Sequence, residues 1–357
     1  MKKLVIICIM LLVLPINIKA IDTSATSAIL VDTDSGRILY SKDIHNKRSV
    51  ASISKIMTAI VAIESGKLDD VVCISDEIDK AYGSGIYIKK GEHIKLEDLV
   101  YGLMLRSGND AALAIAKYVG GSVPNFVSMM NDKAKELGMK NSIFNNPSGL
   151  DEEDDGNLST AYDMSLLISY AIKNEEFKKI VGTKKYNVQT DMNVYSWTNK
   201  NRLLFSYKYT TGGKTGFTQN ARRTLVTTAS RDGLNLAVVT LNDGNDFLDH
   251  KNLFEFGFTN YVNYQILSKG VISIPDDDIY SDYELYIEND YTYPLLESET
   301  SSILIKYKLD KDISYGGVIE VYLGDKLLHE ETIYIRDISQ ESNKSLIDKI
   351  KDWFKNL

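Results

Sequence analysis

The sequence predicts an α/β protein of the α+β kind, followed by a small all-β domain. Two observations carry this. Helical periodicity fills the middle of the first 260 or so residues with period-two alternation on either side, and an alternating, tyrosine-rich stretch follows. The 357 residues suffice for two domains, and 44% hydrophobic with 25% charged excludes collagen, coiled coil and long disorder.

Lys2 and Lys3 precede an apolar run over residues 4–14, then Pro15 and the small Ala20, which is the layout of a secretory signal peptide and too short to span a bilayer. Cleavage after Ala20 removes Lys2, Lys3 and Lys19 and no acid. The 41 Lys+Arg less these three, against 49 Asp+Glu, take the net charge from -8 to -11. Cys8 leaves too, and it sits too early in the run for a lipid-modified cysteine. Cys73 then stands alone, so an exported protein has no internal disulfide. In Val71-Val72-Cys73-Ile74 it reads as a small buried apolar residue.

Alternation over residues 28–31, the turn Asp34-Ser35-Gly36 and a second run at 38–40 predict a β-hairpin. Residues 52–65 read as a buried helix, 96–105, 111–119 and 125–137 as a helix-rich block, and 163–173 as a further helix. From about residue 210 the period is two again, with 224–228 and 234–241 joined by Arg231-Asp232-Gly233 as a second hairpin. Strands at both ends imply one sheet closed by distant parts of the chain. A composition shift over residues 264–275 opens the next domain. Residues 261–334 hold 11 of the 22 tyrosines, and alternation in Ile303-Ile305-Tyr307 and Ile319-Val321-Leu323, with Gly324-Asp325 as a turn, predicts an all-β module. At the end, Leu346, Ile347, Ile350, Trp353, Phe354 and Leu357 recur at helical spacing beside Lys344, Lys349, Lys351 and Lys355, which suits a helix lying on a membrane surface; docking on its own domain is the alternative. The expected division is residues 1–20, 21–262, 263–338 and 339–357.

The acidic balance argues against a nucleic-acid partner. His45, His93, His250 and His329 are scattered singly, so no metal site is implied. Three short motifs carry the chemistry. Ser52-Ile53-Ser54-Lys55 places Ser52 and Lys55 on one helical face, where a neutral lysine can take the serine's proton; burial and a neighbouring cation, with Lys214 the candidate, lower a lysine pKa. Ser52 at the helix start sets the helix's partial positive charge near a developing oxyanion. Ser52 as a simple N-cap is the alternative. Ser107-Gly108-Asn109 falls between helices, where the hydroxyl can relay a proton and the amide can orient a peptide; an ordinary cap and turn is its alternative. Lys214-Thr215-Gly216 follows Gly212-Gly213 and precedes a strand, so it can line a sheet edge along which a peptide adds, with Thr215 binding a carboxylate and Lys214 supplying field.

The combination resembles the low-molecular-mass penicillin-binding proteins that act as serine D-alanyl-D-alanine carboxypeptidases. The resemblance runs from Ala28 to about Phe258 and takes in Val31-Asp32 with Asp34-Ser35-Gly36, Arg106-Ser107-Gly108-Asn109-Asp110-Ala111-Ala112, Asn146-Pro147-Ser148-Gly149-Leu150-Asp151, Ser159-Thr160-Ala161-Tyr162-Asp163 and Asn201-Arg202-Leu203-Leu204. It implies an antiparallel sheet flanked by helices with a helical subdomain, as in serine β-lactamases and penicillin-binding proteins. It also implies Ser52 as acylated nucleophile, Lys55 as general base and Ser107 as proton relay. Asn109, Lys214, Thr215, Gly216 and Phe217 are then substrate-binding, with the N–H groups of Ser52 and Phe217 as oxyanion hole. Two departures concern the substrate carboxylate. Many relatives have an arginine about a dozen residues before the pair matched by Gly257-Phe258, where this chain has Asp246, and often a glycine where Arg222 stands. Arg222 or Arg223 is the candidate replacement contact, beside an equal reading as surface charge.

The expected function is removal of the terminal D-alanine from peptidoglycan stem pentapeptides through an acyl-enzyme. The stem peptide is then the partner, β-lactam antibiotics the inhibitors, the membrane surface a docking site, and no cofactor is needed. The enzyme is expected outside the cytoplasmic membrane or in the wall space. The alternatives are a serine β-lactamase, for which Glu152 and Glu153 lie in a suitable stretch, a D,D-endopeptidase, and a non-catalytic wall-binding module.

Overall fold

The computed structural model describes residues 21–151, 156–274, 283–310 and 316–337. The expected signal segment, Glu152, Glu153 and the terminal amphipathic helix lie outside these residues. The central sheet has five antiparallel strands: β1 Ser27–Asp32, β2 Ile38–Lys42, β3 Thr210–Thr218, β4 Arg222–Arg231 and β5 Leu234–Leu241, in the order β2-β1-β5-β4-β3. β1 pairs with β5 across more than 200 residues of chain, Ile29 opposite Val239. The sheet is thus closed by distant segments, as the sequence implies.

Alternation within each strand explains why both faces are covered. Ile29, Val31, Val226, Ala237 and Val239 point into the main helical core, whereas Leu30, Leu236 and Val238 point to the opposite side. There they meet Leu253 and Phe254 of a helix at Asp246–Asn260. His250 of that helix is buried between Thr227 Oγ1 at 2.5 Å and Thr240 Oγ1 at 3.0 Å, and burial pulls its imidazole down to about 3, so it stays neutral and pins the helix to the sheet.

On the other side the helices are α1 Lys55–Glu64, α2 Leu96–Arg106, α3 Asn109–Gly120, α4 Val123–Glu136, α5 Ala161–Ala171 and α6 Glu175–Gly182. α1 is buried on every side from Lys55 to Ile63, as its unbroken apolar run dictates. Three expectations need correction. Residues 51–54 form a 3₁₀ turn, so Ser52 precedes the α-helix rather than starting it. Lys214-Thr215-Gly216 lies inside β3 rather than before a strand. Cys73 is exposed, because the short strand Val71–Cys73 turns Val72 inward and its neighbours outward. The sequence reading also passed over α6, the helix Asp246–Asn260 and the hairpin Lys185–Gln189 with Val194–Thr198.

Among the described residues the tyrosine-rich stretch forms strands and one 3₁₀ turn: Tyr261–Leu267 pairs with Tyr291–Leu296, and a five-stranded sheet encloses Leu285, Ile287, Ile319, Val321 and Ile333. Arg37, just before β2, joins it to the central sheet. Its guanidinium donates to Pro294 O and to Glu299 Oε1, each at 2.6 Å, and lies 5.2 Å from the ring centres of both Tyr261 and Tyr293. Arg37→Ala is expected to cost about 1–3 kcal/mol at this junction. Calorimetry should show the β module melting earlier by several degrees while the remainder keeps its midpoint; a single unshifted transition would show that Arg37 does not couple the two parts.

Candidate active site

Four chain segments converge on Ser52. The 3₁₀ turn and α1 set Ser52 and Lys55 on the same side, with Lys55 Nζ 3.0 Å from Ser52 Oγ. The α2–α3 junction contributes Ser107, which caps α2 in the left-handed region at φ 64°, and Asn109, the first residue of α3. Ala51 is also left-handed at φ 49°. Two non-glycine residues held in this sparsely populated region, one next to Ser52 in the chain and the other lining the same cleft, are the kind of local strain that packing imposes where side-chain direction matters.

β3 contributes Lys214 as it runs along the sheet edge. Its Nζ donates to Ser107 Oγ at 3.1 Å and to Thr215 O at 2.6 Å. The turn at residues 146–149 contributes a carbonyl. Asn146 Oδ1 accepts from the N–H groups of Ser148 and Gly149 and from Ser148 Oγ, and Thr58 Oγ1 of α1 donates to Pro147 O at 2.7 Å. This network fixes Ser148 O against Lys55 Nζ. Gly149, at φ 76°, packs so tightly that a Cβ would stand 2.1 Å from Ala51 O.

Lys55 is completely buried, and its nitrogen has three partners: Ser52 Oγ, Asn109 Oδ1 at 2.8 Å and Ser148 O. Burial, and then the charge of Lys200, pull it down to about 7, while Asp110 opposes the shift. A neutral amine has two N–H bonds and one lone pair. The Asn109 and Ser148 oxygens accept the former, which leaves the lone pair for the Ser52 hydroxyl. Lys214 is held well below the usual lysine range by burial, by Lys55 and by Lys200. The cation that lowers Lys55 is thus Lys200, which the sequence reading missed, rather than the expected Lys214, and burial is the larger cause.

The cleft holds about 600 Å³ and is lined by Ser52, Ser107, Thr215, Gly216 and Phe217, all expected, and by Arg223. At Gly216 a Cβ would sit 3.0 Å from Ser52 N and 2.4 Å from Thr224 Oγ1, so only glycine leaves the Ser52 N–H open to a ligand along this edge. Two expected residues stand apart from the others. Asn109 is almost fully buried: its Oδ1 faces Lys55 and its Nδ2 donates to Tyr82 O at 2.6 Å, so the amide orients the lysine. Arg222 is exposed outside the cleft. Lys200, Arg202, Asp246 and Phe247 line it and were not singled out as site residues. Asn201-Arg202-Leu203-Leu204 had been noted only as a match, and its position just before β3 was the available signal.

The D-alanyl-D-alanine carboxypeptidase family profile matches residues 16–245. The D-alanyl-D-alanine carboxypeptidase DacF of Bacillus subtilis is 34% identical over 256 residues, covering 69% of this chain and 65% of its own length. DacD of Salmonella typhimurium is 30% identical over 365 residues, covering 94% and 91%. Among solved structures, penicillin binding protein 5 from Haemophilus influenzae aligns over 90% of this chain and 98% of its own with a TM-score of 0.76 at 26% identity. Penicillin binding protein 6B from Escherichia coli gives 0.72 at 28% over the same shares. With the serine, the two buried lysines and the glycine-lined strand edge in one cleft, the chain belongs to the serine peptidase family of the D-alanyl-D-alanine carboxypeptidases, within the penicillin-binding protein fold.

Proposed function

We propose that this protein removes the terminal D-alanine of peptidoglycan stem pentapeptides through an ester on Ser52. The observation that carries the reading is the fully buried Lys55 nitrogen, 3.0 Å from the Ser52 hydroxyl. A stem peptide adds along the β3 edge and presents the carbonyl between its two D-alanines to Ser52 Oγ. Lys55 takes the hydroxyl proton as Oγ attacks, and the N–H groups of Ser52 and Phe217 hold the oxyanion. Collapse breaks the C–N bond, and a proton passes through Ser107, the Lys214 partner, to the departing amine. Water then attacks the ester, with Lys55 again the base, and releases the shortened stem. β-Lactams enter the same path because their strained amide resembles the scissile bond, and their ester on Ser52 blocks the site.

The reading places the enzyme on the outer side of the cytoplasmic membrane. The basic and apolar start of the chain supports export, and the Trp353 and Phe354 edge among lysines supports attachment at the membrane surface. No helix among the described residues is long and apolar enough to cross a membrane.

Mass spectrometry after exposure to benzylpenicillin tests the nucleophile. The wild type should gain one adduct, Ser52→Ala none, and Lys55→Ala should acylate roughly 10²- to 10⁴-fold more slowly; an adduct persisting on Ser52→Ala would remove Ser52 from the role. The pH dependence follows from the lysine. Its folded pKa is lowered from 10.5 to about 7, so the inactive ammonium form prevails below that value. Acylation rates should fall about tenfold per pH unit below 7 and level off above it; a flat profile between pH 5 and 8 would mean that another group is the base. For the tail, a chain ending near Ser342 should leave the membrane fraction, and retention there would place the attachment elsewhere.

A further inference from the structure

A carboxylate at the end of the substrate needs a cation in a cleft whose lysines are largely spent. Lys214 is buried behind the strand with its nitrogen on Ser107 and Thr215 O, and Lys200 Nζ donates to Ser84 Oγ at 3.1 Å. Of the two arginines lining the cleft, Arg223 is anchored. Its Nε lies 3.4 Å from Asp243 O and 3.9 Å from Asp246 Oδ1, and a terminal nitrogen donates to Gly244 O. Asp246, nearly fully buried at the start of the helix Asp246–Asn260, faces Arg223 and also feels the charge of Arg202. Arg202 differs. Among the described residues no carboxylate lies within ion-pair distance of it, and its guanidinium stands 6.0 Å from the ring centre of Phe247, which orients the planar fork without consuming its donors.

We propose that Arg202, together with the Thr215 hydroxyl, holds the substrate's terminal carboxylate, while Arg223 is a positioning residue locked to Asp246. This assignment rests on the carboxypeptidase reading. It makes Arg202 a specificity residue on the loop before β3, beside Phe247 at the start of the helix Asp246–Asn260. A planar guanidinium can engage both carboxylate oxygens, which a carboxamide cannot reproduce.

The test compares diacetyl-Lys-D-Ala-D-Ala with the same peptide ending in a carboxamide, measuring cleavage of the last peptide bond. Arg202→Ala should lower kcat/KM for the acid roughly ten- to a hundredfold, mostly through KM, and leave the carboxamide where it was. Arg202→Lys should recover part of the loss. Equal losses on both peptides, or an undiminished rate on the acid, would overturn the assignment and leave the carboxypeptidase reading standing. A wild type that cleaves neither peptide would overturn both.

Discussion

The constraint on which the site depends is a lysine with no solvent exposure at the start of an apolar helix. Its nitrogen is tolerated there only because three oxygens meet it, and they come from residues 52, 109 and 148. An unpaired ammonium in such a place would cost several kcal/mol. The α2–α3 junction, the Asn146 turn and the 3₁₀ turn must therefore all close on one point before the core is stable. The same closure sets the Lys55 nitrogen against the Ser52 hydroxyl, so what keeps Lys55 in the core also places it where a base would act.

Charge sharpens this. Lys200 depresses Lys55, and Lys55 and Lys200 together depress Lys214, with Asp110 the carboxylate that opposes the shift at Lys55. Two buried ammonium groups this close cannot both stay charged at low effective dielectric. Lys214 is held well below the usual lysine range and Lys55 at about 7, where a base would have both the correct protonation state and useful strength. Asp110 itself is occupied with the N–H groups of Ile86 and Tyr87, so it also shapes the loop that carries Ser84, the partner of Lys200.

Much of this was legible in the sequence because the chemistry sits in short segments. Ser52 and Lys55 are three residues apart, and the alternation of β1 and β5 announces a sheet buried on both faces. What stayed hidden depends on rotation about an element or on closure between elements. Whether Cys73 or Val72 faces the core turns on the phase of a three-residue strand, which an all-apolar run cannot reveal. Asn109 reads as a free amide until Tyr82 O is seen to accept from it. Lys200 and Arg202 enter the cleft because α6 and the following hairpin return the chain to the start of β3, and neither element was recognised. Arg222 and Arg223 are neighbours in the sequence, yet strand alternation and the left-handed φ of 58° at Arg222 send the two side chains different ways.

β3 is also the exposed edge of the central sheet, and such an edge invites pairing with any extended chain. Here the invitation is restricted by construction. α6 packs against β3, and Asn201 donates to Gly212 O at 3.2 Å, so the first half of the edge is covered. Only the stretch through Thr215, Gly216 and Phe217 faces the cleft, where the backbone of Ser52 lies beside it. A bound strand is therefore short, and its end must fit a cleft that Ser52 lines together with Lys200, Arg202 and Arg223. Selection for a peptide terminus then follows from how little of the edge is left unpaired, before any individual contact to the terminus is considered.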